Sequence, residues 1–345
     1  MQGVHVPVAN KFELSNKASF PLGGPTGGDE RSPTTRKGDN VPKKIFAASA
    51  IAALISTSAF ADGKLKQCAG FPNSQLLSAK LAAAVTAAHG VTGSLQIGFN
   101  LQMWATLVAA DGTVCTVAYS GSNAIQGQWL ASRVISAQKA NTANDLSLGV
   151  NNGPAPLSPQ GFAISTANLY SATQPGGSLY GLQHSNPVAA TEAYGDRELG
   201  GEGRWHGHGA DSADYGTDKD PMVGEVIGGI NVFGGGLGLY DKNYARVGGV
   251  GVSGDTSCMD HLVAWYLRNG LGLDNLKNNI SGFAALYNND PTHPDNMIVD
   301  IKANPNGGTG ISASGYGHPS CYGAAGPTSD PKQLINALAN LPAVK

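Results

Sequence analysis

The chain has 345 residues, 13% of them charged, a formal net charge of −2 and 48 glycines, about twice the ordinary share of glycine. With 41% hydrophobic residues it has apolar material for a sizeable core, which excludes a disordered or collagen-like chain. Twenty-two basic residues against 24 acidic ones leave no surplus to neutralise phosphates. Nucleic acid is therefore not an expected partner, whereas small molecules, metals and proteins are.

Residues 1–40 are polar and rich in Gly, Pro and charge, and read as a disordered or untranslated extension. Lys43-Lys44, the apolar run Ile45 to Ala59 and the small-x-small site Ala59-Phe60-Ala61 then form the three parts of a secretory signal over 41–61. The run is too short and too rich in Ser and Thr for a membrane span, which needs ~20 apolar residues. Val41 is the expected first residue and Asp62 the expected mature N-terminus, in the periplasm or outside the cell, with no membrane span after cleavage. Export makes disulfides possible among Cys68, Cys115, Cys258 and Cys321. Cys68 and Cys321, near the two ends of the mature chain, are the expected pair, because closing the longest loop has the largest entropic effect. Cys115, within an apolar strand pattern, reads equally as a buried free thiol. No Cys-x-x-Cys pair supports a zinc ribbon or a thioredoxin-type site.

Ser78 to Ala88 predicts an alanine-rich helix with Ser78 as its cap, Gly90 as its stop and Leu81, Val85 and Ala88 inward. Met103 to Ala109 and Thr113 to Tyr119, joined by Ala110-Asp111-Gly112, predict a hairpin whose two apolar faces both need cover. Gln128 to Leu146 predicts a helix with Leu130, Val134 and Ala137 inward and Arg133 and Lys139 off that stripe. A short helix is expected over 165–173 and an irregular loop, functional or disordered, over Glu192 to Pro221.

Ile230 to Tyr240 and Ala245 to Ser253 predict a second hairpin, whose glycines imply close approach of another backbone or of a flat ligand. Thr256 to Asn269 is the clearest helix, with Ser257 and Asp260 as a capping-box start and Gly270 as its stop. Beyond it the chain is rich in Asn, Gly and Pro, with a strand-like Met297 to Ile301 and a helix over 331–339. Helix, hairpin, helix, hairpin, helix reads as α+β, an antiparallel sheet flanked by helices.

Gly249-x-Gly251-x-x-Gly254 matches the dinucleotide fingerprint, but its strand belongs to a hairpin and not to a parallel βαβ unit. What remains is a strand-to-helix junction, Ser253-Gly254-Asp255-Thr256, that offers N–H groups and hydroxyls to a ligand. His206 and His208, beside Asp211, are the candidate ligands for a divalent metal. No nucleophile elbow, Walker lysine or His-Glu-x-x-His helix supports hydrolase chemistry.

Gly228 to Asp260 (GGINVFGGGLGLYDKNYARVGGVGVSGDTSCMD) resembles the signature of the GlcG/HbpS-like haem-binding family. Met103 to Gly121, Ser132 to Ala143 and Ser165 to Pro187 resemble the first hairpin and middle helices of an exported subgroup, and Ser312 to Cys321 its C-terminal extension. The resemblance implies a profilin-like domain over 62–275, homo-oligomers and, as in some members, haem, which without a Cys-x-x-Cys-His motif would be bound non-covalently. The Glu192–Pro221 insertion and the irregular extension over 276–345 depart from the short family members. It places Thr256 at the iron. His261, one turn on, is the physical competitor, because imidazole is a better iron ligand than a neutral hydroxyl. Ser253 and Gly254 would line the site, and Arg133 or Lys139 would meet the propionates. Two other classes stay open: an enzyme using a metal at His206, His208 and Asp211 or at a subunit interface, and a cofactor-free structural oligomer.

Overall fold

The computed structural model describes residues 66–92, 97–151, 160–195, 211–308, 310–326 and 330–345. The extension, the signal segment and the proposed ligands His206 and His208 lie outside the described residues. The elements are α1 (Ser74–Thr92), β1 (Trp104–Ala109), β2 (Val114–Tyr119), α2 (Ser132–Leu146), β3 (Gly161–Ala163), α3 (Tyr170–Thr173) and α4 (Ala190–Tyr194). They continue with β4 (Gly236–Tyr240), β5 (Arg246–Ser253), α5 (Ser257–Leu271), β6 (Ile280–Gly282), α6 (Phe283–Tyr287), β7 (Ile301–Lys302), β8 (Ile311–Ser312) and α7 (Pro331–Ala339).

The two hairpins join into one four-stranded sheet, order β2-β1-β5-β4. Its central pair is antiparallel, with Trp104 opposite Ser253 and Ala109 opposite Gly248. Alternation along β1 sends its side chains to opposite layers. Trp104 and Val108 pack with Val134, Ala137 and Ala140 of α2. Ala105 and Leu107 pack with Leu77 and Leu81 of α1 and with Leu262 and Val263 of α5. The sheet is thus covered by helices on both faces, an α+β layer structure as the element order implies.

α1 starts earlier than its sequence suggests. Asn73, not Ser78, caps it, its Oδ1 accepting from Leu76 N at 2.9 Å, and the helix runs through Gly90. Ser78 instead donates to Tyr119 O at 2.7 Å and ties the helix to β2. α5 is capped at its start by Thr256, whose side chain accepts from Met259 N, and at its end by Gly272 rather than Gly270. The second hairpin is shorter than predicted, since residues 230–235 are not strand. The predicted strand over 297–301 is reduced to β7, paired with β8.

Gly249 and Gly251 of β5 face α2. A Cβ on Gly251 would lie 1.9 Å from Ser136 O, and one on Gly249 2.2 Å from Ala140 O. Of the two occupants their pattern implied, it is the backbone of α2 that rests on these strands. After α5 the chain returns over that helix. Leu334, Ala337, Leu338, Leu341 and Val344 enter the same core, Trp265 Nε1 donates to Pro342 O at 2.8 Å, and Leu276 N to Lys345 O at 2.9 Å. No helix among the described residues is long and apolar enough to cross a membrane.

Candidate functional site

The strand-to-helix junction is built from β5 and the N-terminus of α5. Ser253 is buried and paired with Trp104. A Cβ on Gly254 would sit 2.7 Å from Gln102 O and Met103 Cα, so the segment before β1 closes directly over the turn. The Asp255 carboxylate accepts from Phe99 N at 2.8 Å, Leu101 N at 3.0 Å and Thr256 N at 2.6 Å. Thr256 Oγ1 donates to Ile97 O at 2.7 Å and accepts from Met259 N at 3.3 Å. Asp260 Oδ1 takes the Asp255 N–H at 2.9 Å. The donors that the sequence offers to a ligand are therefore taken up by the chain itself, and Thr256 is a helix cap.

Arg133 and Lys139, expected to meet propionates, are both buried. Arg133 forks onto the two oxygens of Asp220, Nε at 2.8 Å from Oδ2 and Nη2 on Oδ1. Its Nη1 donates to Ala193 O at 2.8 Å, and the guanidinium lies 4.2 Å from the Tyr215 ring centroid. Lys139 Nζ lies 2.7 Å from Asp260 Oδ2 and 3.1 Å from Val252 O. Burial pushes the Lys139 ammonium below its ordinary value and the Asp260 carboxyl up to about 6, each against the pull of the other's charge. Both cations are committed within the fold, an arrangement at odds with a propionate clamp. The reason is that their counter-ions come from loops and helices 87 and 121 residues away.

His261 differs from the rest. It points into the layer between α5 and the C-terminal segment and is fully buried. Its Nε2 lies 3.2 Å from Asn296 Oδ1 and 3.2 Å from Met297 N, while its Nδ1 is buried without a hydrogen-bond partner. Met297 N also donates to Asn296 Oδ1 at 2.8 Å. Met297 N is also placed to donate to Nε2; in the tautomer that carries its proton on Nε2 and gives it to Asn296 Oδ1, the Nδ1 lone pair is free. Burial lowers the imidazole to about 4, so it is neutral at pH 7. Of the cofactor residues expected from sequence, only this one holds an unused donor atom.

Asp211, proposed with the two loop histidines, is exposed, and its Oδ1 accepts from Ala213 N at 2.9 Å in a local turn.

The expected Cys68–Cys321 bridge is not formed. Cys68 pairs with Cys115 and Cys258 with Cys321, so Cys115 is not a free thiol. The cause is packing: the turn before α1 lies along β2, where Thr116 Oγ1 donates to Pro72 O at 2.6 Å, while the segment bearing Cys321 crosses the start of α5. His318 stands beside the second bridge, its Nδ1 donating to Pro319 O at 2.8 Å, with burial lowering it to about 4. His318 is not among the candidate residues read from the sequence. The signal was the pair of spacings Cys258-x-x-His261 and His318-x-x-Cys321. An open cleft of about 470 Å³ lies between α3 and the β7–β8 hairpin, lined in part by Tyr170 and Pro319. Neither Thr256 nor His261 lines it.

No protein-family model and no curated protein matches the chain. Among solved structures, the Klebsiella pneumoniae protein ORFY, described as family-model DUF336, is 21% identical. The match covers 57% of this chain and 88% of that one, with a TM-score of 0.32. A PduOC:heme complex is 19% identical over 55% of this chain and 88% of that one, with a TM-score of 0.31.

Proposed function

We propose that the chain is an exported protein that binds haem or a related tetrapyrrole non-covalently, as a sensor, carrier or accessory to a periplasmic redox system. The reading rests on the resemblance of Gly228 to Asp260 to the GlcG/HbpS-like family, and one structural observation carries it. His261 is a neutral, buried imidazole whose Nδ1 has no hydrogen-bond partner, and in the tautomer protonated at Nε2 this is the kind of nitrogen that holds haem iron. It lies under Asn296 and Met297, so the C-terminal extension must shift for a macrocycle to reach it. In this proposal residues 41–61 are the signal, 62–275 the binding domain and 276–345 the extension that covers it. Two disulfides are in keeping with an oxidising compartment.

The test is an absorbance spectrum of the protein as isolated, followed by titration with haem. A Soret band that saturates near one equivalent is the expected result. A linear rise with no saturation removes the proposal.

One observation favours the cofactor-free oligomer as the second reading. The rings of Phe99 and Trp129 lie 6.2 Å apart, and both are exposed, as are Ile125 and Leu130. An apolar surface of this kind suits a second copy of the chain. Light scattering of wild type and Trp129→Ser checks it: a dimer or larger species that dissociates in the variant is expected, and a monomeric wild type contradicts it.

A further inference from the structure

Around the start of α5, ligand atoms of Cys258, Cys321 and His318 all lie within 4.8 Å of one another. In the oxidised protein the two sulfurs are bonded to each other, and the cluster is a covalent staple. We propose that reduction of this disulfide turns the staple into a Cys2His site for a thiophilic monovalent cation, Cu⁺. In the balanced step, a dithiol donates two electrons to the S–S bond, becomes a disulfide itself and releases two protons. The two protein thiolates and the His318 imidazole then take the metal.

Four features of the structure support this use of the cluster. Cys258 and His318 are buried while Cys321 is half-buried, which leaves one sulfur open to attack by an incoming thiolate. Cys258 lies in the first turn of α5, and its N–H points at Cys321 Sγ at 3.2 Å, with Ser257 Oγ at 3.6 Å from the same sulfur. These donors and the helix N-terminus favour thiolate over thiol. His318 gives its Nδ1 proton to Pro319 O at 2.8 Å, which fixes the tautomer that leaves Nε2 as a ligand atom. A backbone carbonyl that orients the ring in this way is the usual outer partner of a metal-bound histidine. Nε2 receives only a long contact, from Gly234 N at 3.4 Å.

The metal follows from the donor set. Two thiolates and one imidazole are soft ligands, which select Cu⁺ or Zn²⁺ over hard cations. Structural zinc takes four protein ligands, and zinc with three keeps an open position for water; the cluster brings together three soft donors, two of them in buried residues, a set that suits Cu⁺. The other disulfide has no histidine within such a cluster among the described residues, so the inference applies to Cys258–Cys321 alone.

The experiment reduces the full chain with a phosphine under nitrogen, removes the reductant and titrates the protein against the Cu⁺–bicinchoninate complex. Reduced wild type should withdraw Cu⁺, while oxidised protein should withdraw none. Cys258→Ser or Cys321→Ser should abolish this withdrawal, and Cys68→Ser/Cys115→Ser should retain one equivalent. His318→Gln keeps both thiols and tests the site without disturbing the bridge; its affinity should fall about tenfold or more. Three results overturn the proposal: no competition by the reduced protein, wild-type affinity in His318→Gln, or loss of the equivalent in Cys68→Ser/Cys115→Ser. Reduced protein that loses its native far-UV spectrum, with no recovery on adding Cu⁺, also overturns it. Haem plays no part in this titration, so its outcome is independent of the Soret test.

Discussion

On the α2 face of the sheet, Gly249 and Gly251 let a helix backbone rest on the strands, and Arg133 is neutralised by Asp220. On the α5 face side chains fill the space, and His261, His318 and the Cys258–Cys321 bridge gather under the returning C-terminal segment. Both faces carry residues of the kind that bind ligands. On the first the cation and the glycines are spent on partners brought in by the fold; on the second an imidazole nitrogen is left over. A cation or a glycine-rich strand is thus a poor guide to a site until its partner is known, whereas an unsatisfied buried imidazole is a better one.

The sharpest way to break this comparison is to remove a partner on the α2 face. Asp220→Ala leaves Arg133 buried without its counter-ion and should cost about 3–5 kcal/mol in urea unfolding. Arg133→Met/Asp220→Leu should recover most of that loss, and a double variant no more stable than the single one would show the pair is not the cause. Next in size is Gly251→Ala, which drives a Cβ against Ser136 O. A loss of about 3 kcal/mol is expected from overpacking, and a neutral result would mean that α2 does not rest on the strand.

These two residues also show what could be read from the sequence and what could not. Local signals located both hairpins, the helix of α5 and the bounds of α7, because turn chemistry, caps and periodicity act over a few residues. Asp330 accepts from Lys332 N at 2.9 Å at the start of α7, as an Asp-Pro helix start implies. The partners of Arg133, Lys139 and the four cysteines lie 47 to 121 residues away. No local pattern contains them, which is why amphipathicity placed both cations off the buried stripe and loop entropy chose the wrong bridge. His261 was legible as a candidate; its free Nδ1 was not, since that depends on Asn296 and Met297.

The α5 face predicts a pH dependence. His261 and His318 are lowered to about 4 in the folded protein, against an ordinary 6.5. Between these values the unfolded chain binds more protons, so stability is full above pH 6.5 and falls as pH drops toward 4. The slope is on the order of 1 kcal/mol per pH unit for each histidine. Urea midpoints for wild type and His318→Gln across that range should differ in slope, and parallel curves would contradict buried neutral imidazoles. The smallest effect is expected at the cap: Thr256→Ala should lose ~1 kcal/mol and leave any haem spectrum unchanged.

The most direct measurement is a side-by-side haem titration of wild type, Thr256→Ala and His261→Ala, each first shown to be folded by circular dichroism. The account predicts a saturable Soret band in wild type and Thr256→Ala. In His261→Ala it predicts a shifted maximum or affinity weakened by more than about tenfold, ~1.4 kcal/mol. Identical spectra and affinities in all three, or a change confined to Thr256→Ala, would contradict it.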